Sequence, residues 1–474
     1  MMKKANILNT HFNHSINMKK YIVALVVVGS LITSSCRKYV EIPAVGMHAL
    51  KYTSDYQDLL NNTSVLEHSY SFPLVSSDDV SIDSIKYQNS FTTQTADVQF
   101  VLTYTWAPTR YATNVESDVD WERFYQQIMI CNNVSDGVMT SEGGTVTQKN
   151  AILALALVHR AYAYLNLVNL YAPPYNPSTA STDLGVPLLT TANLFASLKR
   201  PPLADVYAQI IKDLTTALPN LPDLPAYNSD PSKAAAYAIL AETSLEMRNF
   251  TDAGTYAGKA LALQSTLIDL NTYASAPGTL PGKLLDPETI FSKLSSGYNF
   301  NKVTLSGDLL TLLGTKDLRY ILFTGLNFGT AAYGRSYYRQ NYNSNQDVYI
   351  GPNVPEMMLI KAESAARAND PATAVSLLNA LRKKRFTPAD YTDLTASNAA
   401  DALALVINER RRELFGRGFR WFDMRRLNQD AAFAKTYTRV FKSVTYTLEP
   451  NSARYTYQID NKYILLNPEI VQNP

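Results

Sequence analysis

Cysteine, histidine and tryptophan are all scarce in this chain, with two, five and three residues among 474. Only His48, His68 and His159 lie beyond residue 36. None stands in a His-x-x-x-His spacing and neither cysteine belongs to a Cys-x-x-Cys pair, so the usual zinc-ligand patterns are missing. No glycine-rich loop precedes a helical stretch, which excludes a phosphate cradle of that type. Charge is scarce too: 43 Lys and Arg stand against 41 Asp and Glu, 18% of the chain together. Lys3, Lys4, Lys19 and Lys20 occupy the first 35 residues without a single acid, so the remainder is slightly acidic. Neutralising a run of phosphates needs a sustained basic field, and a partner of nucleic acid is therefore not expected.

What is present is apolar and aromatic. Hydrophobic residues make up 46% of the chain, enough for a large core, and tyrosine reaches 31 beside 17 phenylalanines. A tyrosine ring joins an apolar face to a hydroxyl, which suits sugar faces, peptides and protein interfaces as well as half-buried positions between helices. Near the N-terminus, "MKKYIVALVVVGSLITSSC" from Met18 sets two lysines before the apolar run Tyr21 to Val28 and then turns to small residues. That is the layout of a secretory signal peptide, with a run too short to span a bilayer comfortably, and it assigns residues 1–35 to a leader. Thr33, Ser34 and Ser35 before Cys36 resemble a bacterial lipobox, with Thr33 where that motif usually has Leu. Acyl chains on Cys36 would tether the protein to a membrane and keep this cysteine out of any disulfide. Cys131, inside "FYQQIMICNN", then reads as a buried, inert thiol.

The rest of the chain reads mostly as helix, in pairs. "WERFYQQIMICNNV" and "KNAILALALVHRAYAYLNLVNLYA" place apolar residues at three- and four-residue spacing, and the second is apolar nearly all round, which makes it central. "PPLADVYAQIIKDLTTALPNL" is opened by Pro201 and Pro202 and closed near Pro219. "PSKAAAYAILAETSLEMRN" joins "FTDAGTYAGKALAL" by a short turn, with Ala253, Ala257 and Ala260 on one stripe below Phe250. Small residues at that spacing let two helices approach closely, as in tetratricopeptide repeats. "VPEMMLIKAESAARAND" with "PATAVSLLNALRKKR" repeats the arrangement, and "AADALALVINERRRELF" begins a third. Residues 273–354 have a different texture, rich in Gly, Asn, Ser and Tyr and without sustained periodicity, and form an irregular insert between an N-terminal region, 36–272, and a C-terminal one, 355–474. The tail alternates loosely and supplies a few short strands.

Two charged stretches remain. "SSDDVSID" groups Asp78, Asp79 and Asp83, a pattern open to calcium but better suited to turn and cap hydrogen bonds. "ERRRELFGRGFRWFDMRRL", residues 409–427, carries seven arginines and three carboxylates around two glycines. Glu409 and Glu413 lie one helical turn apart, with Arg410 and Arg412 three residues from a glutamate, and Gly416 is placed to end the helix. Beyond it, Asp423 falls near Arg420 and Arg426 while Trp421 and Phe422 can enter the core. Bidentate arginine–carboxylate pairing fixes the angle between segments, so the stretch reads as a structural clasp rather than a catalytic constellation.

That stretch resembles the C-terminal signature of the SusD/RagB family of nutrient-binding outer-membrane lipoproteins. "SSDDV", "WERFYQQIMICNNV", "HRAYAYLNLVNLYA" with "GVPLLTT", "RPPLADVYAQIIKDL", "EMMLIKAESAARAND" and the closing "LNPEIVQNP" agree in order. The resemblance implies a mostly α fold on four tetratricopeptide-like helix pairs with a few short strands. It also implies a lipid-anchored, surface-exposed protein without catalysis or cofactor. Such a protein captures oligosaccharides or peptides for a SusC-like TonB-dependent outer-membrane barrel. Ligand residues are expected in variable loops, first Trp106, then Tyr298, Tyr333, Tyr337 and Tyr338, with Arg335, Arg339 and Asn341 as hydrogen-bonding partners. A secreted helical glycoside hydrolase is the alternative, since its paired carboxylates come from distant positions, and a periplasmic helical-repeat scaffold is a third.

Overall fold

The computed structural model describes residues 50–114, 116–295, 303–326, 334–339 and 348–474. Cys36, Tyr298, Tyr333 and Asn341 lie outside the described residues.

The helices of eight residues or more are α1 (Thr53–Leu60), α2 (Thr95–Tyr104), α3 (Val119–Gly137), α4 (Val146–Tyr171), α5 (Leu203–Ala217) and α6 (Lys233–Glu246). They continue with α7 (Phe250–Leu263), α8 (Val354–Arg367), α9 (Pro371–Arg382), α10 (Ala399–Leu414) and α11 (Phe419–Leu427). Polar caps set most of their starts. Asp118 accepts from the Asp120 and Trp121 amides, Thr145 and Gln148 form a reciprocal capping box, and Ser232, Asn249, Asn353, Asp370 and Asn398 each accept from an N-terminal amide. Pro202 stands directly before α5, and Pro371 opens α9.

α4 is long and apolar enough to cross a membrane by length and composition, yet every residue from Ala156 to Tyr171 is buried by the protein itself. It packs between α3 and α5, as its apolar circumference requires. α6 pairs with α7, α7 with α8, and α8 with α9 and α10. Ala253, Ala257 and Ala260 are wholly buried on the stripe anticipated for them. A Cβ on Gly254 would come within 2.2 Å of the Ser364 hydroxyl, so α7 and α8 run too close for a larger residue there. Phe250 wedges the corner beneath the guanidinium of Arg367, 4.0 Å from its ring centroid.

Short antiparallel pairs decorate this helical frame: β1 (Val80–Ser81) with β3 (Thr304–Leu305), β2 (Lys293–Ser295) with β6 (Val348–Ile350), and β4 (Thr324–Leu326) with β5 (Arg335–Tyr337). In the tail, β7 (Tyr437–Phe441) and β8 (Val444–Leu448) form a hairpin. Residues Tyr52–Pro474 make one unit, and α4, α6 and α8 carry much of its main core.

Candidate ligand-binding groove

The site is positioned by an internal lattice of arginines and carboxylates. Glu409 lies 2.7 Å from Arg319, 2.9 Å from Arg382 and 3.2 Å from Arg412, all on its own carboxylate. Glu413 receives Arg319 at 2.7 Å and Arg385 at 2.9 Å, and Arg385 also reaches Glu288 at 2.7 Å. Arg410 joins Asp423 (2.9 Å) to Glu356 (3.1 Å). Arg426 grips Glu363 with two parallel bonds of 2.7 and 2.8 Å and also holds Asp423 at 2.8 Å. Burial would raise the Glu409 and Glu363 carboxyls, but the guanidiniums around them outweigh it and hold both at about 2. Trp421 is fully buried and stacks on Tyr455 and Tyr457, with centroids 5.2 and 5.7 Å away.

Two pairings differ from the local expectation. Arg420 does not meet Asp423; it donates to Asp78 at 2.6 Å, across 342 residues of sequence. Arg410 bonds outside its own helix rather than to a glutamate within it. The acids of "SSDDV" are likewise not turn formers alone: Asp78 takes Arg420 and Arg411, and Asp79 takes Arg411 at 2.7 Å. Among the described residues no group of three or more His, Cys, Asp or Glu is arranged to hold a metal.

Above this Asp78 floor lies a groove of about 430 Å³ between β1, the end of α2, the start of the short helix Gly307–Leu313 capped by Ser306, and the start of β7. Its inner wall is aromatic: Tyr104, Trp106 and Tyr437. Its rim is polar, with the exposed carboxylates of Asp83 and Asp308 opposed by the exposed Lys435 ammonium, which sits 4.8 Å from the Tyr437 ring. Asp78 is committed to its arginines; burial pushes its carboxyl up, and Arg420 and Arg411 bring it well below the ordinary carboxylate range. It is a fixed negative charge, unsuited to giving up a proton. A concave surface that mixes ring faces with a few acceptors and donors binds small polar ligands by partial burial and directed hydrogen bonds. A second cavity, inside the helices beside Glu242, Glu246 and Glu356, measures about 30 Å³ and has room for water but not for a sugar ring.

Trp106 lines the groove but is only 4% exposed. Its indole N–H donates to the Ser76 carbonyl at 2.8 Å and Arg439 covers a face at 4.2 Å, so it builds the wall instead of projecting as a platform. Tyr337 and Arg339, expected at a capture surface, are internal: Tyr337 packs edge-on to Phe415 over Gly416, and Arg339 is ion-paired to Asp286 at 2.8 Å. Arg335 is half-buried, donating to Thr324 at 2.6 Å and lying over the Tyr320 ring. Tyr338, the residue after β5, is half-buried. Asp83, Asp308, Lys435 and Tyr437 were not anticipated as groove residues. "SSDDVSID" carried a hint for the first, whereas nothing local distinguishes Lys435 or Tyr437.

A family model described as "Starch-binding associating with outer membrane" matches residues 45–245, and one described as "SusD family" matches residues 333–474. SusD-like protein P38 of Formosa agariphila is 34% identical over 79 residues, which is 16% of this chain and 16% of that protein. The chain therefore aligns with about a sixth of this curated relative. Among solved structures, a SusD superfamily protein from Bacteroides thetaiotaomicron superposes with a TM-score of 0.71 at 21% identity, covering 89% of this chain and 100% of the other. A SusD-like carbohydrate binding protein from Bacteroides vulgatus gives 0.65 at 22% identity, covering 89% and 97%. At these identities the likeness is one of fold.

Proposed function

The chain belongs to the SusD/RagB family, and from that premise we propose that it is a non-catalytic binding protein of the bacterial cell surface. It captures oligosaccharides and delivers them to a SusC-like TonB-dependent barrel in the outer membrane. The observation that carries the reading is the groove between β1 and β7, where aromatic walls meet a rim of Asp83, Asp308 and Lys435. Rings bury the apolar face of a sugar, while carboxylate and ammonium groups read its hydroxyls. The carbohydrate binding ascribed to the Bacteroides vulgatus neighbour points the same way. Acyl chains on Cys36 provide the anchor, since two or more chains hold a protein firmly at a membrane. Arg335 and Tyr338, half-buried on and beside β5, are proposed as outer contacts, together with Tyr298, Tyr333 and Asn341.

Calorimetric titration with a panel of oligosaccharides and peptides tests the capture step. Asp83→Ala and Lys435→Ala are expected to weaken binding about tenfold or more with an unchanged melting temperature, because both side chains are exposed and leave the frame intact. Release of products from a glycan would overturn the reading in favour of a hydrolase. Cys36→Ala is expected to move the protein from the membrane fraction to the soluble one, and retention in the membrane refutes the anchor.

A further inference from the structure

Away from the groove, a pocket of about 560 Å³ opens between the start of α1, the turn that leads from α3 into α4, and the first turns of α4. The turn is locked to α1: the Thr53 amide donates to the Glu142 carbonyl at 2.9 Å, and the Thr53 hydroxyl donates to the Gly143 carbonyl at 2.8 Å. Gly143 and Gly144 both take left-handed backbone, φ 72° and 64°, and a Cβ on Gly143 would meet nothing within 4 Å. The chain rounds this corner without a side chain that would fill the space. Ala151 and the buried Ile152 give the pocket an apolar patch, and Tyr52 brings a ring that is 46% exposed. The volume lies within the range of small-molecule sites.

The polar groups at its border are already committed to one sense each. Gln148 closes the capping box of α4: its carbonyl oxygen accepts from the Thr145 amide at 2.8 Å, so its NH2 is the donor it has left to offer. Gln57 donates from its own NH2 to Asn61 at 3.0 Å, which leaves its carbonyl oxygen as an acceptor. Ser54 adds an exposed hydroxyl and Glu142 an exposed carboxylate. Apart from the Tyr52 phenol, Glu142 is the only ionisable group among the described residues that border the pocket, so an anionic ligand finds no counter-charge there. The ligand that matches has an apolar face to lay on a ring and several uncharged hydroxyls for directed hydrogen bonds. A sugar ring has both.

We propose that this pocket is a second carbohydrate site, which holds one neutral pyranose residue with its apolar face on Tyr52 and its hydroxyls among Gln148, Gln57 and Glu142. It fills independently of the groove. Gln148 stands in the first turn of α4, whereas the Trp106 carbonyl takes Arg454, two residues before the Tyr455–Tyr457 stretch whose Tyr457 amide bonds Leu170 in the last turn, about 30 Å further along the helix. A long glycan that reaches both sites is held more tightly than either site alone would hold it. Saturation-transfer NMR with glucose, galactose, mannose and N-acetylglucosamine, each offered separately, tests the site on the protein carrying Asp83→Ala and Lys435→Ala, which disable the groove. At least one of the four sugars should still bind. On that background Tyr52→Ala should weaken binding about fivefold or more through the ring area no longer buried. Gln148→Glu should do the same at an unchanged melting temperature, because glutamate keeps the capping box while it replaces the donor by an acceptor. Binding by the wild type but not by the groove variant overturns the second site and leaves the groove reading standing, whereas binding of none of the four by either protein overturns the second site alone. Binding that both pocket substitutions leave untouched also overturns it, and so does a crystal in which the chain's own residues before 50 occupy the pocket.

Discussion

Replacing Glu246 by glutamine should stabilise this protein, but only above mildly acidic pH. Glu246 closes α6 and, half-buried, lines the internal cavity together with Glu242, Glu356 and Arg410. Burial raises its carboxyl from 4.5 to about 7, against the opposing pull of Arg426 and Arg425. An unfolded chain gives up this proton near pH 4.5, whereas the folded one keeps it until about pH 7. Folding is therefore penalised progressively across that interval and by a constant amount above it. A displacement of that size corresponds to about 3 kcal/mol, reduced by hydration of the cavity to roughly 1–3 kcal/mol. Glutamine is uncharged in both states and escapes the penalty. Glu246→Gln should match the wild type at pH 4.5 and melt about 1–3 °C higher at pH 8, given the unfolding entropy of a chain this long. Calorimetric melts of both proteins at half-unit pH intervals provide the comparison. Parallel curves at every pH would mean that Glu246 is ionised in the folded protein, and the reasoning would fail.

Three further outcomes are expected. Glu409→Gln leaves Arg319, Arg382 and Arg412 without their shared carboxylate and should cost about 3–5 kcal/mol, measured by denaturant unfolding, since breaking a buried ion cluster strands its charges. Gly416→Ala should cost roughly 2–5 kcal/mol, because the backbone there has φ 73° and a Cβ would lie 2.3 Å from the Tyr337 ring; an expressed variant of wild-type stability would contradict the structure. Acid should unfold the protein steeply between pH 4.5 and 2. Glu363 and Glu409, held at about 2 when folded, contribute stability above their unfolded value that is lost as they protonate, and intrinsic tryptophan fluorescence against pH would follow it.

Much of the helical frame was readable because its signals are local. The Ala253–Ala257–Ala260 stripe and the prolines around α5 act over one or two turns, and each lies where spacing alone put it. The end of α10 before Gly416 and the Asp423 to Arg426 contact are equally short-range. The clasp was recognisable as arginine–carboxylate chemistry, yet its partners were not. Arg319 and Arg385 look ordinary in "KDLRYIL" and "LRKKRF", and only the folded chain brings them to Glu413. Arg420 had a neighbour of opposite charge three residues away and took one 342 residues distant, because Asp78 is where α11 docks. The groove suffered most from this limit. An aromatic count cannot tell a wall from a platform: Trp106 is part of the groove wall, whereas Tyr337 and Arg339 lie inside the fold.

The bonds from Arg420 to Asp78 and from Arg411 to Asp79 have an implication for how the polypeptide matures. Emerging from a ribosome or a translocation channel, the N-terminal acids must wait for more than 300 further residues before their counterions exist. Closing so long a loop is slow relative to local helix formation. Until the last seventh of the chain is made, the earlier segments have helices but no keystone, and a polypeptide in that condition can still be threaded through a pore.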